Sequence, residues 1–358
     1  MNTEIVSIFG NSSSGEVDFS SEELDTLNRA AEIIKRGGLV IFPTETVYGL
    51  GGDATNKGAA QKIYSAKGRP SDNPLIIHIS SPEEAEKYAF TSKAYYKLAE
   101  RFMPGPLTVI LKARESVPKE TRGGLDTVAV RCPYHPVANK LIKLCGVPIA
   151  APSANLSGSP SPTKASHAID DMLGRVDMII DGGECDFGLE STIVKIEDDE
   201  TLCLLRPGKI TVSELESIAP VKIANAVVAK LGEGEVALSP GMKYRHYAPK
   251  SPLALLDGDI SECIDYIAAE KYCRIAIVCY SENIVSYRSA FPNAVIYEFG
   301  EALNEEQHAH RLFDILREAD KQNFDIIFAP VPKKMGIGLA IYNRLIRASA
   351  HTIINLRR

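Results

Sequence analysis

The sequence predicts an α/β protein of two domains, the first with an irregular mixed sheet and the second with a small parallel sheet. A chain of 358 residues is too long for one ordinary hydrophobic core. Short apolar runs alternate with amphipathic stretches along it, and the alternation becomes regular beyond residue 252. We therefore expect a first domain over residues 1–215, a linker over 216–250 and a second domain over 251–358.

The elements of the first domain begin with a clear helix signal. Ser20 and Glu23 form a capping-box pattern before an apolar stripe, and a pair of glycines ends the helix near Arg36. Short apolar runs predict strands at residues 39–43, 75–79, 107–111, 127–131, 148–152, 178–181 and 191–196. Helices are expected near residues 92–102, 135–145 and 211–218. Since no unit repeats, the pattern favours a mixed sheet over a regular doubly wound one.

The sequence changes character between the two domains. Residues 238–252, LSPGMKYRHYAPKSP, are basic and aromatic and contain no acid. A solvated linker and a segment lying against an anionic ligand both fit this composition. Beyond it, strands are expected at residues 253–257, 274–280, 294–299, 325–330 and 352–356, separated by helical stretches. This rhythm predicts a mostly parallel, Rossmann-like sheet.

Composition and charge exclude several classes of protein. Apolar residues make up 45% of the chain and charged residues 24%, which excludes wholesale disorder. The net charge is −6, and residues 1–210 carry 23 basic and 28 acidic side chains, so a bulk nucleic-acid binder is disfavoured. The sequence shows no secretory signal and no apolar run long enough to span a membrane. Its seven cysteines include no C-x-x-C pair. We therefore expect a cytoplasmic protein with no membrane association and no dedicated metal site.

Standard nucleotide-binding and hydrolase motifs are absent from the sequence. It contains no phosphate-binding loop of the type G-x-x-x-x-G-K-[ST], no complete G-x-G-x-x-G, no H-E-x-x-H and no G-x-S-x-G. Gly336 and Gly338 come nearest, and we interpret them as the start of a tightly packed helix. Candidate chemistry therefore rests on polar residues near the strand ends of the first domain.

Two of these segments could hold anions. In AKGR, Lys67 and Arg69 flank a glycine, which suits phosphate oxygens or a solvated turn. Arg131 ends the strand TVAVR, where its charge needs water or an anionic partner, either an acidic side chain or a substrate carboxylate. His78 lies between two isoleucines and by itself indicates only a hydrogen-bonded structural residue.

Other polar segments supply hydroxyl and amide groups. Thr44 lies in PTETVYGLGGDA (43–54), either as a cap in a strand-to-helix connection or facing a ligand. The loop APSANLSGSPSPT (151–163) is rich in serine and proline. STI (191–193) and RPG (206–208) add a hydroxyl and an arginine at strand ends.

In this order, PTET-x-YGL, K-G-R, S-A-N, S-T-I-V and RPG resemble the YrdC-like threonylcarbamoyl-AMP synthases in their long two-domain form. The resemblance covers essentially the whole chain and includes SPGMKYRHYAP at the junction and GIGLAIYNRLIRAS (336–349) near the end. It implies a first domain with a twisted mixed sheet around a deep, positively charged cavity. It also implies a smaller Rossmann-like C-terminal domain.

The resemblance implies an activity as well. Members of this family make L-threonylcarbamoyl-AMP and pyrophosphate from L-threonine, bicarbonate or CO2, and ATP, which is a nucleotidyltransferase reaction. We expect Mg²⁺ to arrive through the ATP phosphates. The product then passes to a threonylcarbamoyl transferase complex that modifies tRNA.

The family's motifs assign roles to residues of this chain. Lys67 and Arg69 are the catalytic candidates. The implied ATP-binding residues are Lys67, Arg69, Thr127, Ser153, Asn155, Ser161, Arg206 and Tyr244. The implied threonine-binding residues are Thr44, His78, Arg131, Ala151 and Ser191. We also expect residues 238–250, which include His246 as a further candidate, to form a lid that excludes water.

Two other functions stay open on the sequence alone. A non-catalytic module of the same fold could bind double-stranded RNA, although the acidic charge of the first domain disfavours strong binding. A carbamoyl-phosphate-using module of the hydrogenase-maturation type is related, but that type normally carries zinc fingers, for which this chain has no C-x-x-C.

Overall fold

The structure is a computed structural model that describes residues 2–13, 16–198, 201–228 and 247–357. The chain divides into two compact units. The first unit comprises Met1–Ser157 and Ser161–Lys243, and the second comprises Gly158–Pro160 and Tyr244–Arg358.

The first unit contains the larger set of elements. Its strands are β1 (Glu4–Ser7), β2 (Asn11–Ser13), β3 (Glu16–Asp18), β4 (Val40–Phe42), β5 (Gly49–Asp53), β6 (Ile76–His78), β7 (Ala89–Phe90), β8 (Leu107–Ala113), β9 (Thr127–Arg131), β10 (Ile149–Ala150), β11 (Met178–Asp181), β12 (Thr192–Asp198), β13 (Thr201–Arg206) and β14 (Val221–Ile223). Its helices are α1 (Ser21–Lys35), α2 (Lys57–Lys67), α3 (Lys93–Phe102), α4 (Pro136–Cys145), α5 (Ala165–Met172) and α6 (Val212–Glu216), with 3₁₀ turns at Pro82–Lys87 and Asn225–Val227.

One large sheet organises this unit. The strand order is β1-β11-β4-β5-β10-β6-β9-β8-β12-β13-β14, with β7 paired to β8. Some neighbours run parallel, such as β6 and β9, and others run antiparallel, such as β8 and β9. The predicted mixed sheet is therefore confirmed. The hairpin of β2 and β3 is separate from it.

Helix α1 shows how local sequence signals place an element on this sheet. The Ser20 side chain accepts a hydrogen bond from the Glu23 backbone N–H, and the Glu23 side chain accepts one from the Ser20 N–H, as the capping-box pattern predicted. The helix buries Leu27, Ala31 and Ile34 in a core that also includes residues of β4 and α4. Burial of this apolar stripe fixes the helix on the sheet.

Two elements near the candidate motifs were not predicted. The segment GLGGD, interpreted as part of a turn, forms β5 between β4 and β10. A Cβ atom on Gly51 would lie 2.6 Å from a Phe42 ring carbon and 2.8 Å from an Ile149 methyl carbon. Glycine therefore allows the neighbouring strands to pack closely here, which turn-like composition does not reveal. Helix α2 begins at the cap residue Asn56 and was also missed.

The second unit contains the regular alternation that the sequence predicted. Its strands are β15 (Leu253–Asp257), β16 (Ile275–Tyr280), β17 (Val295–Gly300), β18 (Ile326–Pro330) and β19 (Ile353–Asn355). Its helices are α7 (Ile260–Ala269), α8 (Ile284–Ala290), α9 (Glu305–Asp320) and α10 (Gly338–Ala348), with a 3₁₀ turn at Ser281–Asn283. The strand order is β17-β16-β18-β15-β19, and every pair is parallel. The predicted parallel sheet is confirmed.

Both predicted helix starts of the second unit are present. The Asn304 side chain accepts a hydrogen bond from the Gln307 N–H at the start of α9. Helix α10 begins at Gly338, whose N–H donates to the Glu305 carboxylate at 2.9 Å. A Cβ atom at Gly338 would lie 2.5 Å from the Lys333 carbonyl oxygen, so this helix start is indeed tightly packed.

The region expected to be a linker is described only in part. Strand β14 and the 3₁₀ turn at Asn225–Val227 occupy the beginning of residues 216–250. Tyr244, His246 and most of the lid predicted at 238–250 lie outside the described residues, so the lid stays a prediction, as do the domain boundaries. In the part of the chain that the structure describes, no helix is both long and apolar enough to cross a membrane.

Candidate active site

The loop between β4 and β5 holds three polar side chains that are almost fully buried. Thr44 is 2% exposed, and Glu45 and Thr46 are 0% exposed. Thr44 Oγ1 accepts hydrogen bonds from the backbone N–H groups of Thr46 and Val47, each at 3.2 Å, and donates to the Val47 carbonyl oxygen at 2.6 Å. Thr44 therefore stabilises a turn that leads into a strand, and it does not cap a helix.

Arg131 has an acidic partner from this loop. Its Nη2 lies 2.9 Å from Glu45 Oε1, and both side chains are buried. Neither oxygen of Glu45 has a hydrogen-bond partner among the described residues, and neither do Nε and Nη2 of Arg131. The two charges thus attract each other without an aligned hydrogen bond, and both keep unused hydrogen-bonding capacity. Of the partners that the sequence left open for the Arg131 charge, the structure shows an acidic side chain, that of Glu45.

His78 lies beside Arg131 because β6 and β9 pair in parallel with these two residues in register. The ring is 3% exposed, and its Nδ1 lies 3.3 Å from the Ile149 carbonyl oxygen. Burial, and then the Arg131 charge, lower the pKa of His78 to about 3. The imidazole is therefore neutral near pH 7, and the proton belongs on Nδ1 because a carbonyl oxygen can only accept.

Ser191 and Arg206 are joined on the other side of β9. Arg206 donates from Nη2 to Ser191 Oγ and from Nε to the Ser191 carbonyl oxygen, both at 3.0 Å. Ser191 Oγ also lies 2.7 Å from Thr108 Oγ1, and Thr108 is the register partner of Arg131 on β8. We name Glu45, His78, Thr108, Arg131, Ser191 and Arg206 the Arg131 cluster.

Lys67 forms a second centre with the serine- and proline-rich loop. Helix α2 ends at Lys67, and Gly68 follows with φ +63°, a conformation that glycine adopts readily. Lys67 Nζ donates to the carbonyl oxygens of Ser153 and Asn155 and lies 3.4 Å from Asn155 Oδ1. Ser153 Oγ donates to the same amide oxygen. We name these three residues the Lys67 cluster.

Arg69 is also buried, but it donates to other carbonyl oxygens than Lys67 does. Its Nη2 donates to the carbonyl oxygens of Asn73 and Pro74 at 3.1 and 3.0 Å. Lys67 is 3% exposed and Arg69 is 8% exposed. The alternative of a solvated turn in AKGR is therefore wrong, because the helix end carries both cations into the interior.

The remaining predicted residues lie at different distances from these clusters. Ser161 Oγ donates to the carboxylate of Glu190, which precedes Ser191 in the chain, so the loop of the Lys67 cluster is tied to the Arg131 cluster. The Ala151 N–H donates to the Ile76 carbonyl oxygen at 2.9 Å, two residues before His78. Thr127 begins β9 and so lies about 13 Å from Arg131, at the other end of the strand.

Sequence reasoning missed Glu45 and Thr108. The signal for Thr108 was a hydroxyl inside the apolar strand LTVIL, where it must find a buried partner. The signal for Glu45 was a carboxylate between two threonines directly after a buried strand. Neither signal predicts the partner residue, because Ser191 is distant in sequence from Thr108, and Arg131 is distant in sequence from Glu45.

The site offers fixed charges and polar groups. Burial raises the pKa of Cys132, next to Arg131, to about 12, so this thiol is protonated near pH 7. Over residues 2–13, 16–198, 201–228 and 247–357 there is no group of three or more His, Cys, Asp or Glu side chains that could hold a metal ion. The geometry therefore suits the binding and orientation of charged ligands.

Comparison with known proteins agrees over most of the chain. A family model described as "Telomere recombination" matches residues 32–208, and one described as "Threonylcarbamoyl-AMP synthase, C-terminal domain" matches residues 210–350. Threonylcarbamoyl-AMP synthase of Pyrococcus abyssi is 44% identical over 329 residues, which are 91% of this chain and 95% of the relative. The Bacillus subtilis protein of the same name is 41% identical over 344 residues, 93% of this chain and 97% of the relative.

A solved structure agrees with these matches. The crystal structure of P. abyssi Sua5 complexed with L-threonine superposes with a TM-score of 0.87 at 40% identity, covering 99% of this chain and 100% of that one. The likeness extends over both units, and two curated relatives above 40% identity carry one name. The chain therefore belongs to the threonylcarbamoyl-AMP synthase family, in its two-domain form.

Proposed function

We propose that this protein is an L-threonylcarbamoyladenylate synthase that joins L-threonine, CO2 or bicarbonate, and ATP to give threonylcarbamoyl-AMP and pyrophosphate. The names of the relatives and the threonine complex of P. abyssi Sua5 support this reaction. Transfer of an adenylyl group makes it a nucleotidyltransferase. The product serves a threonylcarbamoyl transferase complex that modifies tRNA, and cytoplasmic location suits this role.

The Lys67 cluster and its surroundings bind ATP in this proposal. The Lys67 ammonium group places a compact positive charge beside the phosphates. The planar guanidinium of Arg69 can donate two parallel hydrogen bonds to phosphate oxygens. Ser153, Asn155 and Ser161 supply hydroxyl and amide groups from one loop. Further ATP contacts are proposed for Thr127, Arg206 and Tyr244. Mg²⁺ enters as part of the MgATP substrate and screens phosphate charge.

The Arg131 cluster binds threonine in this proposal. The Arg131 guanidinium takes the threonine carboxylate, while Thr44, Ser191 and the backbone at Ala151 orient the rest of the amino acid. The neutral imidazole of His78 can accept a hydrogen bond at Nε2 from the threonine hydroxyl or amine. In this assignment the ammonium group and the hydroxyl of threonine face the polar side chains of the Arg131 cluster.

The reaction then needs little covalent chemistry from the protein. The threonine amine and CO2 form a carbamate, whose oxygen attacks the α-phosphorus of ATP and expels pyrophosphate. The protein aligns two anions and offsets their repulsion, so positioning and electrostatic stabilisation are the main contributions to the rate. Residues 238–250 are proposed to cover the mixed anhydride product, which water would otherwise hydrolyse.

One observation carries the proposal most directly. The Lys67 cluster and the Arg131 cluster lie in one compact unit, and a hydrogen bond from Ser161 to Glu190 links the loop that carries Ser153 and Asn155 to the residue before Ser191. Two anionic substrates that must be brought into contact require such a pair of neighbouring centres.

The test is pyrophosphate release from ATP with threonine and bicarbonate each omitted in turn. We expect release only when both are present. Release that does not depend on threonine would contradict the assignment and indicate a different acceptor. RNA binding with a steep salt dependence and no threonine-dependent turnover would instead support the non-catalytic module.

A further inference from the structure

Glu45 is a buried carboxylate whose hydrogen-bonding capacity the protein leaves unused. Its side chain is 0% exposed, and neither oxygen accepts a hydrogen bond from any described residue. A buried carboxylate normally accepts several hydrogen bonds, because loss of hydration costs more than one ion pair returns. Among the described residues, its one ion-pair partner is Arg131, whose Nη2 lies 2.9 Å from Oε1. Glu45 therefore has acceptor capacity for a ligand with N–H donors.

Among the described residues, Glu45 interacts with one positive charge, that of Arg131. The other titratable groups that interact with Glu45 are Cys132, His135 and Cys185, and the Asp186 carboxylate acts on His135 and Cys185. Burial lowers the pKa of His135 despite the attraction of Glu45, so His135 is neutral near pH 7. Burial also raises the pKa values of both thiols, which stay protonated. Arg131 is thus the cation that faces Glu45.

The charges of Arg131 and Glu45 are complementary to those of an amino-acid zwitterion. In an α-amino acid, a carboxylate and an ammonium group are joined through one carbon atom, about 3 Å apart. Arg131 and Glu45 present a guanidinium and a carboxylate at a similar separation, 2.9 Å. A zwitterion laid against them with its charges reversed would place each charge beside its opposite.

We propose that Glu45 binds the ammonium group of threonine and accepts one of its protons, which makes the amine nucleophilic toward CO2. The inference rests on the proposed function. In this step an N–H bond breaks, an O–H bond forms on Glu45, and the electron pair stays on nitrogen. That pair forms the C–N bond to CO2, one C–O π pair moves to oxygen, and the second amine proton passes to solvent. The product is the carbamate anion.

The test compares Glu45→Gln with the wild-type protein in the threonine-dependent pyrophosphate assay. Glutamine has the shape of glutamate and keeps hydrogen-bonding atoms, but it cannot take up the proton. We expect kcat to fall about 100-fold or more near pH 7, with the KM for ATP changed less than about twofold. The kcat of the variant should rise by up to about tenfold per pH unit while the pH is below the pKa of the amine and level off above it, since solvent then deprotonates the amine.

Two further variants make the test decisive. Glu45→Asp keeps the charge opposite Arg131 but withdraws the carboxylate, and should lose about tenfold in kcat without the steep pH dependence. Glu32→Gln removes a carboxylate that pairs with Lys35 at 3.1 Å on the exposed face of α1, and should leave all parameters unchanged. If Glu45→Gln fails to fold, wild-type kcat in Glu45→Asp would contradict the proposed contact between this carboxylate and the threonine amine.

Other outcomes would overturn the inference. Wild-type kcat in Glu45→Gln would show that no proton transfer to this carboxylate is needed. A loss that is constant with pH and shared by ATP binding would show that Glu45 only holds Arg131 in place. Wild-type protein without threonine-dependent pyrophosphate release would remove the proposed function itself and this step with it.

Discussion

The Lys67 cluster and the Arg131 cluster differ in how fully their polar atoms are bonded. Lys67 Nζ already donates to two backbone carbonyl oxygens and approaches a third oxygen. In the Arg131 cluster, by contrast, Nε and Nη2 of Arg131 and both oxygens of Glu45 have no hydrogen bond among the described residues. The first centre is therefore rigid before any ligand arrives, whereas the second has acceptors and donors ready for a substrate.

This difference indicates separate roles for the two centres. A lysine fixed by backbone carbonyls is a preorganised charge, which suits a phosphate that must be placed accurately. A buried guanidinium–carboxylate pair with unused bonding capacity suits recognition of an amino acid. The mutations below test whether the two roles can be separated.

Lys67→Ala should have the largest effect. The change removes the fixed charge and leaves the carbonyl oxygens of Ser153 and Asn155 without their donor. We expect threonine-dependent pyrophosphate release to fall about 1,000-fold and ATP binding to weaken, while the affinity for threonine stays within about twofold. Calorimetric titration with each substrate measures the affinities for ATP and for threonine. Lys62→Ala, on the same helix but bonded to the Gly37 carbonyl oxygen, is the matched control.

Arg131→Ala should show the opposite pattern, with threonine kcat/KM reduced about 100-fold and ATP affinity unchanged. It should also lower the free energy of unfolding by about 3–5 kcal/mol, because Glu45 is left as an uncompensated buried charge. Adding Glu45→Gln should restore much of that stability in urea unfolding but not the use of threonine. Equal losses for both substrates in the Lys67 and Arg131 variants would contradict the division of roles.

Acid should destabilise the Arg131 cluster through His78. The pKa of His78 is about 3 in the folded protein, against about 6.5 when unfolded, so the unfolded chain binds more protons between these values. Stability is therefore complete above about pH 6.5 and is lost as the pH falls toward 3. From pH 7 to pH 5 we expect His78 to account for about 2 kcal/mol of the loss in urea unfolding. His78→Gln should flatten this part of the profile; an unchanged profile would show that folding does not lower the pKa of His78.

Thr108→Val should have the smallest effect of the four. It removes the hydroxyl that lies 2.7 Å from Ser191 Oγ but keeps the shape of the side chain. We expect a loss of about 1 kcal/mol in unfolding free energy and about a fivefold lower threonine kcat/KM, since Ser191 keeps its bond from Arg206. Lower ATP affinity instead would assign Ser191 to the nucleotide, together with Arg206.

Local signals in the sequence predicted much of the fold. The capping box at Ser20, the cap at Asn304 and the short apolar runs placed α1, α9 and most core strands, because each depends on residues close together in the chain. Strand β5 was missed because its glycines matter only through contact with neighbouring strands. The motif resemblance brought Lys67, Ser153 and Asn155 together, and the structure agrees. The Glu45–Arg131 pair could not be predicted, since nothing near either residue specifies the other.

The most direct measurement of the central claim uses two labels in one reaction. The wild-type protein is supplied with threonine, radiolabelled bicarbonate and ATP labelled at the α-phosphate, and the products are separated rapidly. We predict one threonine-dependent product that carries both labels in equal amounts and appears together with pyrophosphate. Transfer of the phosphate label without the carbon label, or an equal yield without threonine, would contradict the account.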